Sequence, residues 1–195
     1  LELAKDDIEE MINMESINDY LFVIFHAGVG QDISFPYFDP TNYDIPSAYV
    51  ETSMLSTISD DAWISQQNID RGIILPETLN HIYYDIIEEL FYGVDDYCDY
   101  QIGLAGIFSL LMGYALGLPP LYNTDTGDAG VGVFGLMDYG SNNGRGVTPA
   151  PPTAWTKIHM GWDEPIIISK DNNLDSLDFS INNSQIYRID ISKNE

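Results

Sequence analysis

A chain of 195 residues, 45% of them hydrophobic, is long enough to bury a core and short for two full domains. Its 31 acidic residues against 7 basic ones give a formal charge of −24. Such a surface repels nucleic acid and anionic lipid, because affinity for phosphates comes from Lys and Arg. The single cysteine, Cys98, excludes an internal disulfide and a cysteine-based zinc cluster. The acid excess fits a salty or calcium-rich medium, and it fits equally a surface that simply stays soluble. Leu1 stands where a native chain would carry Met, so we expect a piece of a longer polypeptide.

Leu3 to Met14 carries early acids and apolar residues at Leu3, Ile8, Met11 and Ile12, which is helical spacing. Tyr20 to His26 is a continuous apolar run rich in β-branched and aromatic residues. It predicts a central strand buried on both faces, closed by the turn Ala27–Gly30. Prolines with several Asp and Asn make Gln31 to Pro46 an irregular surface loop. Ser47 to Met54 alternates weakly, as an edge strand does, and Gly72 to Pro76 reads as a short strand. Glu77 to about Leu90 places Leu79, Ile82, Tyr83, Ile86, Ile87 and Leu90 at helical spacing.

Ile102 to Leu118 holds no charged residue and approaches the lower length limit of a membrane span. Glycines at 103, 106, 113 and 117 and the stop Pro119-Pro120 favour a helix buried on all sides of a soluble core. A loop rich in Gly and Asp follows, from Asn123 to Gly132, then a turn-rich apolar segment, Val133 to Gly140, and a loop, Ser141 to Gly146. Thr153 or Ala154 starts a short helix that runs to His159 and stops at Gly161. Strands are expected at Ile166–Ile168, Leu177–Ile181 and Ile186–Ile191. The last alternates, with Ile186, Arg188, Asp190 and Ser192 on one side and Tyr187, Ile189 and Ile191 on the other.

Four segments in chain order carry a family resemblance. Phe25-His26-Ala27-Gly28 is a strand-end His-Ala-Gly motif, and Gly117-Leu118-Pro119-Pro120-Leu121-Tyr122-Asn123-Thr124-Asp125 follows the apolar helix. Gly135-Leu136-Met137-Asp138 has the form of a Met-turn, and Ala154 to Trp162 reads Ala-Trp-x-Lys-x-x-x-Gly-Trp. In order and spacing, from about His26 to Trp162, these resemble the secreted immune-inhibitor-A-type metallopeptidases. That resemblance implies a zincin-like α/β fold: a twisted mixed sheet, an active-site helix below it and a smaller lower lobe after the Met-turn. It divides the chain into a degenerate metallopeptidase-like domain, 1–165, and a β-rich segment, 166–195, that starts a region continuing beyond the chain.

In such a family His-Glu-x-x-His sets two imidazoles one helical turn apart, with Glu as general base. Here the first His falls on Leu110, the Glu on Leu111, the second His on Tyr114 and the next ligand on Pro120. None supplies a nitrogen or carboxylate, and a lone phenol with a pKa near ~10 is a poor zinc ligand at neutral pH. Ligands and base are lost together, so zinc is not expected and no catalytic residue is assigned.

Other chemistries find less support. Asp125-Thr126-Gly127 spells an aspartic-protease triplet but sits in a polar loop with no second carboxylate beside it. There is no Gly-x-Ser-x-Gly elbow. His26 is expected to bond nearby backbone, His81 and His159 to be surface or packing residues of helices, and Trp155 and Trp162 to pack. For calcium, Asn123, Asp125 and Asp128 gather oxygen ligands in one loop, and Asp95, Asp96 and Asp99 form a second cluster. The alternative for both is a solvated acidic loop.

Two expectations result. One is a catalytically inactive, binding or structural module of an exported or cell-surface protein. It would partner a protein or peptide, or further domains of its own polypeptide or assembly, without nucleic acid or a membrane span. The other is an active metal-dependent peptidase with non-standard ligands.

Overall fold

A computed structural model describes residues 1–32, 43–55, 57, 62–79, 102–168 and 185–190. They form a mixed α/β structure around a small mixed sheet. Strand β1 (Phe22–Val29) lies parallel to β3 (Arg71–Thr78), and β2 (Ala48–Glu51) lies antiparallel to β3 on its other side. The order is therefore β1-β3-β2.

This corrects the expectation for the first apolar run. It does form β1, but among the described residues β1 is an edge, and Phe25 is 60% exposed. The central strand is β3, where Ile73 and Leu75 are fully buried. Its shorter apolar run, Gly72 to Pro76, extends to Thr78, so Glu77 and Thr78 belong to a strand rather than to a helix start. The expected helix beyond them, like Leu177–Ile181, lies outside the described residues. The β1–β3 ladder shifts register between His26 and Val29, next to the His26–Pro76 pair. Pro76 has no N–H to donate, and Gly28 takes φ +90°, a conformation that costs glycine little.

On one face of the sheet, Ile73 and Leu75 pack against Leu111 of the long apolar helix. On the other, α1 (Lys5–Met11) contributes Ile8 to a cluster of Ile17, Trp63 and Ile69, and Ile12 joins it just past the helix end. Leu3 and Met11, expected to be apolar contacts, are instead exposed. The helix is shorter than its apolar pattern and offers a narrower stripe. Between strands lie two single-turn helices, α2 (Thr52–Leu55) and α3 (Trp63–Gln66).

The long helix is α4 (Leu104–Ala115), and its ends explain its glycines. No side chain caps the N-terminus; the amides of Gly103 and Gly106 donate to the carbonyls of Arg145 and Gly146, both at 2.8 Å. At the C-terminus the Gly117 amide bonds the Tyr114 carbonyl and the Leu118 amide the Gly113 carbonyl, both at 2.9 Å. That is a Schellman closure, and it needs Gly117 at φ +83°. The helix is not buried on all sides as expected. Among the described residues Gly106, Leu111 and Gly113 are its buried positions, while Ala105 and Phe108 are exposed. No described helix is long and apolar enough to cross a membrane.

Gly106 marks the tightest approach. A Cβ there would meet the Ser141 carbonyl oxygen and, at 3.0 Å, Gly146 Cα. Both are backbone and cannot swing aside. Gly106→Ala is expected to cost about 1–3 kcal/mol or more, read as a lowered melting temperature. An unchanged melting temperature would rule out this contact.

After α4 the chain forms short 3₁₀ turns at Gly132–Phe134 and Tyr139–Asn142, then α5 (Ala154–His159). Thr153 caps α5 by accepting the Thr156 amide at 3.1 Å. A two-stranded parallel ladder, β4 (Ile166–Ile167) with β5 (Tyr187–Arg188), closes the described chain. The expected strand Ile186–Ile191 is cut to β5, and its apolar residues do not share one side as expected: Ile186 is buried and Ile189 is 67% exposed. A two-residue ladder is too short to impose one face along the segment.

Candidate functional site

The descent from α4 into the following loop builds a cavity beside β2. Its volume is about 350 Å³, and Ser47, Ala48, Tyr49, Leu111, Tyr114, Pro120, Tyr122 and Thr124 line it. Leu111 and Tyr114 lie three apart on one face of α4, and the Schellman turn swings Pro120 and Tyr122 back toward that face. Opposite stands β2, an edge strand among the described residues. Three of the four positions where the resemblance places ligands or base, 111, 114 and 120, therefore share one cavity.

Leu110, the fourth, packs with Tyr114 against the cluster of Leu118, Leu136 and Met137. Met137 is fully buried, and a Cβ at Gly113 would strike its sulfur. The turn Gly135–Asp138 thus lies directly against α4 at the height of Leu110 and Tyr114. Asp138 secures that turn from inside. At 3% exposure its Oδ2 accepts the amides of Gly130, Val131 and Gly132 at 2.9, 2.7 and 2.7 Å, and its Oδ1 that of Tyr139 at 2.8 Å. Burial pushes the carboxyl upward, but these four bonds more than reverse it and hold it below its usual value.

The cavity's polar chemistry is phenolic. The Tyr114 and Tyr122 hydroxyls lie 3.0 Å apart, so one donates to the other. Burial, then the Tyr122 bond, raises the Tyr114 phenol well above its ordinary value. Its proton is therefore held more tightly than that of a free phenol. Tyr49 and Tyr114 rings meet at 6.3 Å with a 31° tilt. Ser47 donates its hydroxyl to Asp32 at 2.8 Å, while its amide bonds the same carboxylate at 3.0 Å. This donor set does not fit zinc, and among the described residues no group of three His, Cys, Asp or Glu could hold a metal.

The loop candidates for calcium, Asn123, Asp125 and Asp128, are exposed, and the side chains of Asn123 and Asp128 already accept hydrogen bonds. Asn123 Oδ1 accepts the amides of Asp125 and Thr126 at 2.9 and 3.2 Å, and Asp128 Oδ2 accepts the Thr126 hydroxyl at 2.7 Å. The loop brings Asn123 and Asp128 together through a 2.8 Å backbone bond, with no side-chain role for Asp125. Asn123 can thus shape this turn without a cation. Asp95, Asp96, Asp99, His81 and Cys98 lie outside the described residues.

His26 behaves as expected: its ring nitrogens lie 3.0 and 3.1 Å from the carbonyls of Ala27 and Ile45. His159 stacks on Trp155 at 4.9 Å. Trp155 and Trp162 are about half exposed rather than packed in a core. Sequence reasoning missed Ser47, Tyr49 and Thr124 as site residues. The edge-strand reading of Ser47 to Met54 was the available signal, because an edge beside a helix is where a cleft opens.

Compared with protein-family models, with curated proteins and with solved structures, the chain has no match.

Proposed function

We propose that this chain is a metallopeptidase-like domain that has lost catalysis and acts as a binding or structural module of an exported or cell-surface protein. The observation that carries the reading is the convergence of Leu111, Tyr114 and Pro120 on one cavity beside an antiparallel edge strand, with Met137 buried under the same helix. A zincin-like site requires the base and second and third ligand positions to lie together over the Met-turn, as 111, 114, 120 and Met137 do; the first ligand position, Leu110, faces the Met137 cluster instead. With aliphatic and phenolic side chains there, the cleft keeps a shape for peptide and has no water-activating group. An extended partner segment would lie along β2 by strand addition.

Elemental analysis of purified protein, counting zinc and calcium together, tests the reading. Substoichiometric zinc and no chelator-sensitive proteolysis are expected. Stoichiometric zinc with hydrolysis that a chelator abolishes would overturn it in favour of an active peptidase with non-standard ligands. Calcium without zinc would leave the reading standing and assign a cation to the acidic loops.

A further inference from the structure

Asn143–Gly144 is the one place in the chain where asparagine precedes glycine. Glycine puts no Cβ in the way when its backbone nitrogen turns toward the preceding side-chain amide, so ring closure meets least hindrance here. The pair sits in the loop that caps α4. At the helix start the Gly103 and Gly106 amides donate to the carbonyls of Arg145 and Gly146. Gly144, Arg145 and Gly146 take φ +56°, +55° and +77° in succession. For Arg145 that conformation is costly, and it persists only while its surroundings hold it.

Asn143 supplies much of that hold. Its amide donates to the Gly140 carbonyl at 3.3 Å, and its carbonyl accepts the amides of Gly146 and Thr148 at 3.1 and 3.2 Å. Its side-chain Nδ2 donates to the Val133 carbonyl at 2.9 Å. At ψ 140° it keeps the Gly144 nitrogen turned away from its own Cγ. Gly144 is nevertheless exposed, and its amide has no acceptor among the described residues.

We infer that Asn143 is a site of self-modification: when this loop opens the chain deamidates there, and the isoaspartyl product loosens the cap of α4. The Gly144 nitrogen attacks Asn143 Cγ, a bond forms between them, and the Cγ–Nδ2 bond breaks. The Gly144 amide proton leaves with Nδ2 as ammonia. Water then opens the five-membered imide at one of its two carbonyls, giving aspartyl or isoaspartyl. Water is the only co-reactant. Both products lose the Nδ2 donor to Val133 and gain a negative charge. Isoaspartyl also lengthens the main chain by one carbon, just before the carbonyls that must reach Gly103 and Gly106. None of this depends on the reading of the chain as a binding module.

The whole chain, aged in mildly alkaline buffer with and without urea and then peptide-mapped by mass spectrometry, tests this. In urea a gain of one mass unit is expected at Asn143 ahead of every other asparagine. In the folded chain that conversion should be at least about tenfold slower, because ring closure waits for the loop to open. Asn143→Gln, whose extra methylene disfavours the ring, should stay unmodified in urea. The isoaspartyl chain, separated by its added charge and refolded, should exchange its Gly103 and Gly106 amides about tenfold faster than the parent, or fail to refold where the parent succeeds. Faster conversion in urea at another asparagine, or none at Asn143, overturns the site. Equal rates with and without urea overturn the protection by the closed loop. Unchanged exchange at Gly103 and Gly106 overturns the link to α4.

Discussion

Asp138→Ala is expected to lower the unfolding free energy by about 3–5 kcal/mol at neutral pH, a large share of the ~5–15 kcal/mol that holds a domain together. The reason is geometric. One buried carboxylate accepts four backbone amides, from Gly130, Val131, Gly132 and Tyr139, and alanine removes the shared acceptor that ties these two segments of the turn together. Asp138→Asn keeps the shape and one oxygen but turns a donor toward one of these amides, so its cost should be smaller, about 1–2 kcal/mol. The sign of the pH dependence follows from the lowered carboxyl. The folded state binds this proton less readily than the unfolded one. Its contribution is therefore complete above the ordinary value of 3.8 and fades as pH falls through the lower folded value. Urea unfolding of both proteins at neutral pH and at about pH 3 measures this, and the gap between them should narrow in acid. A constant gap, or a loss below about 1 kcal/mol at neutral pH, would remove Asp138 as the anchor of the turn.

The second large effect is a gain. Leu110→His, Tyr114→His and Pro120→Asp, combined in one chain, are expected to create a one-to-one zinc site. Two imidazoles one turn apart and a carboxylate from the following turn make the three-ligand set of catalytic zinc, once the imidazole at 110 swings from the Met137 cluster toward the cavity that 114 and 120 line. Zinc at a hundredfold over its dissociation constant stabilises by about 2.7 kcal/mol. For a chain of this size that is a rise of about 5–10 °C in melting temperature. Leu111 is retained, so zinc should bind without hydrolysis; a base is required before bound water attacks. The variant carries a risk, because an imidazole at 110 enters the apolar cluster of Leu118, Leu136 and Met137. Circular dichroism separates the cases. A parent-like spectrum with no zinc-dependent shift in melting would mean that the positions do not converge as ligands must, and the proposed descent would fall with it.

Much of the local structure was legible because local physics decides it. The apolar run without charges forms a helix and Gly117 before two prolines ends it, where the pattern puts them, but only one side of that helix is buried. The short helix expected from Thr153 or Ala154 to His159 is α5, and Gly72 to Pro76 announced a strand. Errors came where partners outside the segment decide. Tyr20 to His26 looked more central than β3, yet β3 took the middle, since hydrophobicity does not say which strand receives two neighbours. Glu77 and Thr78 stayed in the ladder although the residues after them have helical spacing, because pairing with Val29 extends β3.

The candidate site divides in the same way. The sequence alone determined that positions 110, 111, 114 and 120 carry no zinc ligand and no general base, a matter of side-chain chemistry that no fold can alter. It determined too that the surface is strongly anionic. Only the tertiary structure decided that Leu111, Tyr114 and Pro120 share a cavity with Tyr49 and Tyr122, and that Leu110 turns instead toward Met137. It also decided that Asp138 is an internal acceptor for four amides rather than one more surface acid. Composition and spacing act along the chain, whereas a cavity and a buried carboxylate depend on which distant segments are brought into contact, and that follows from packing.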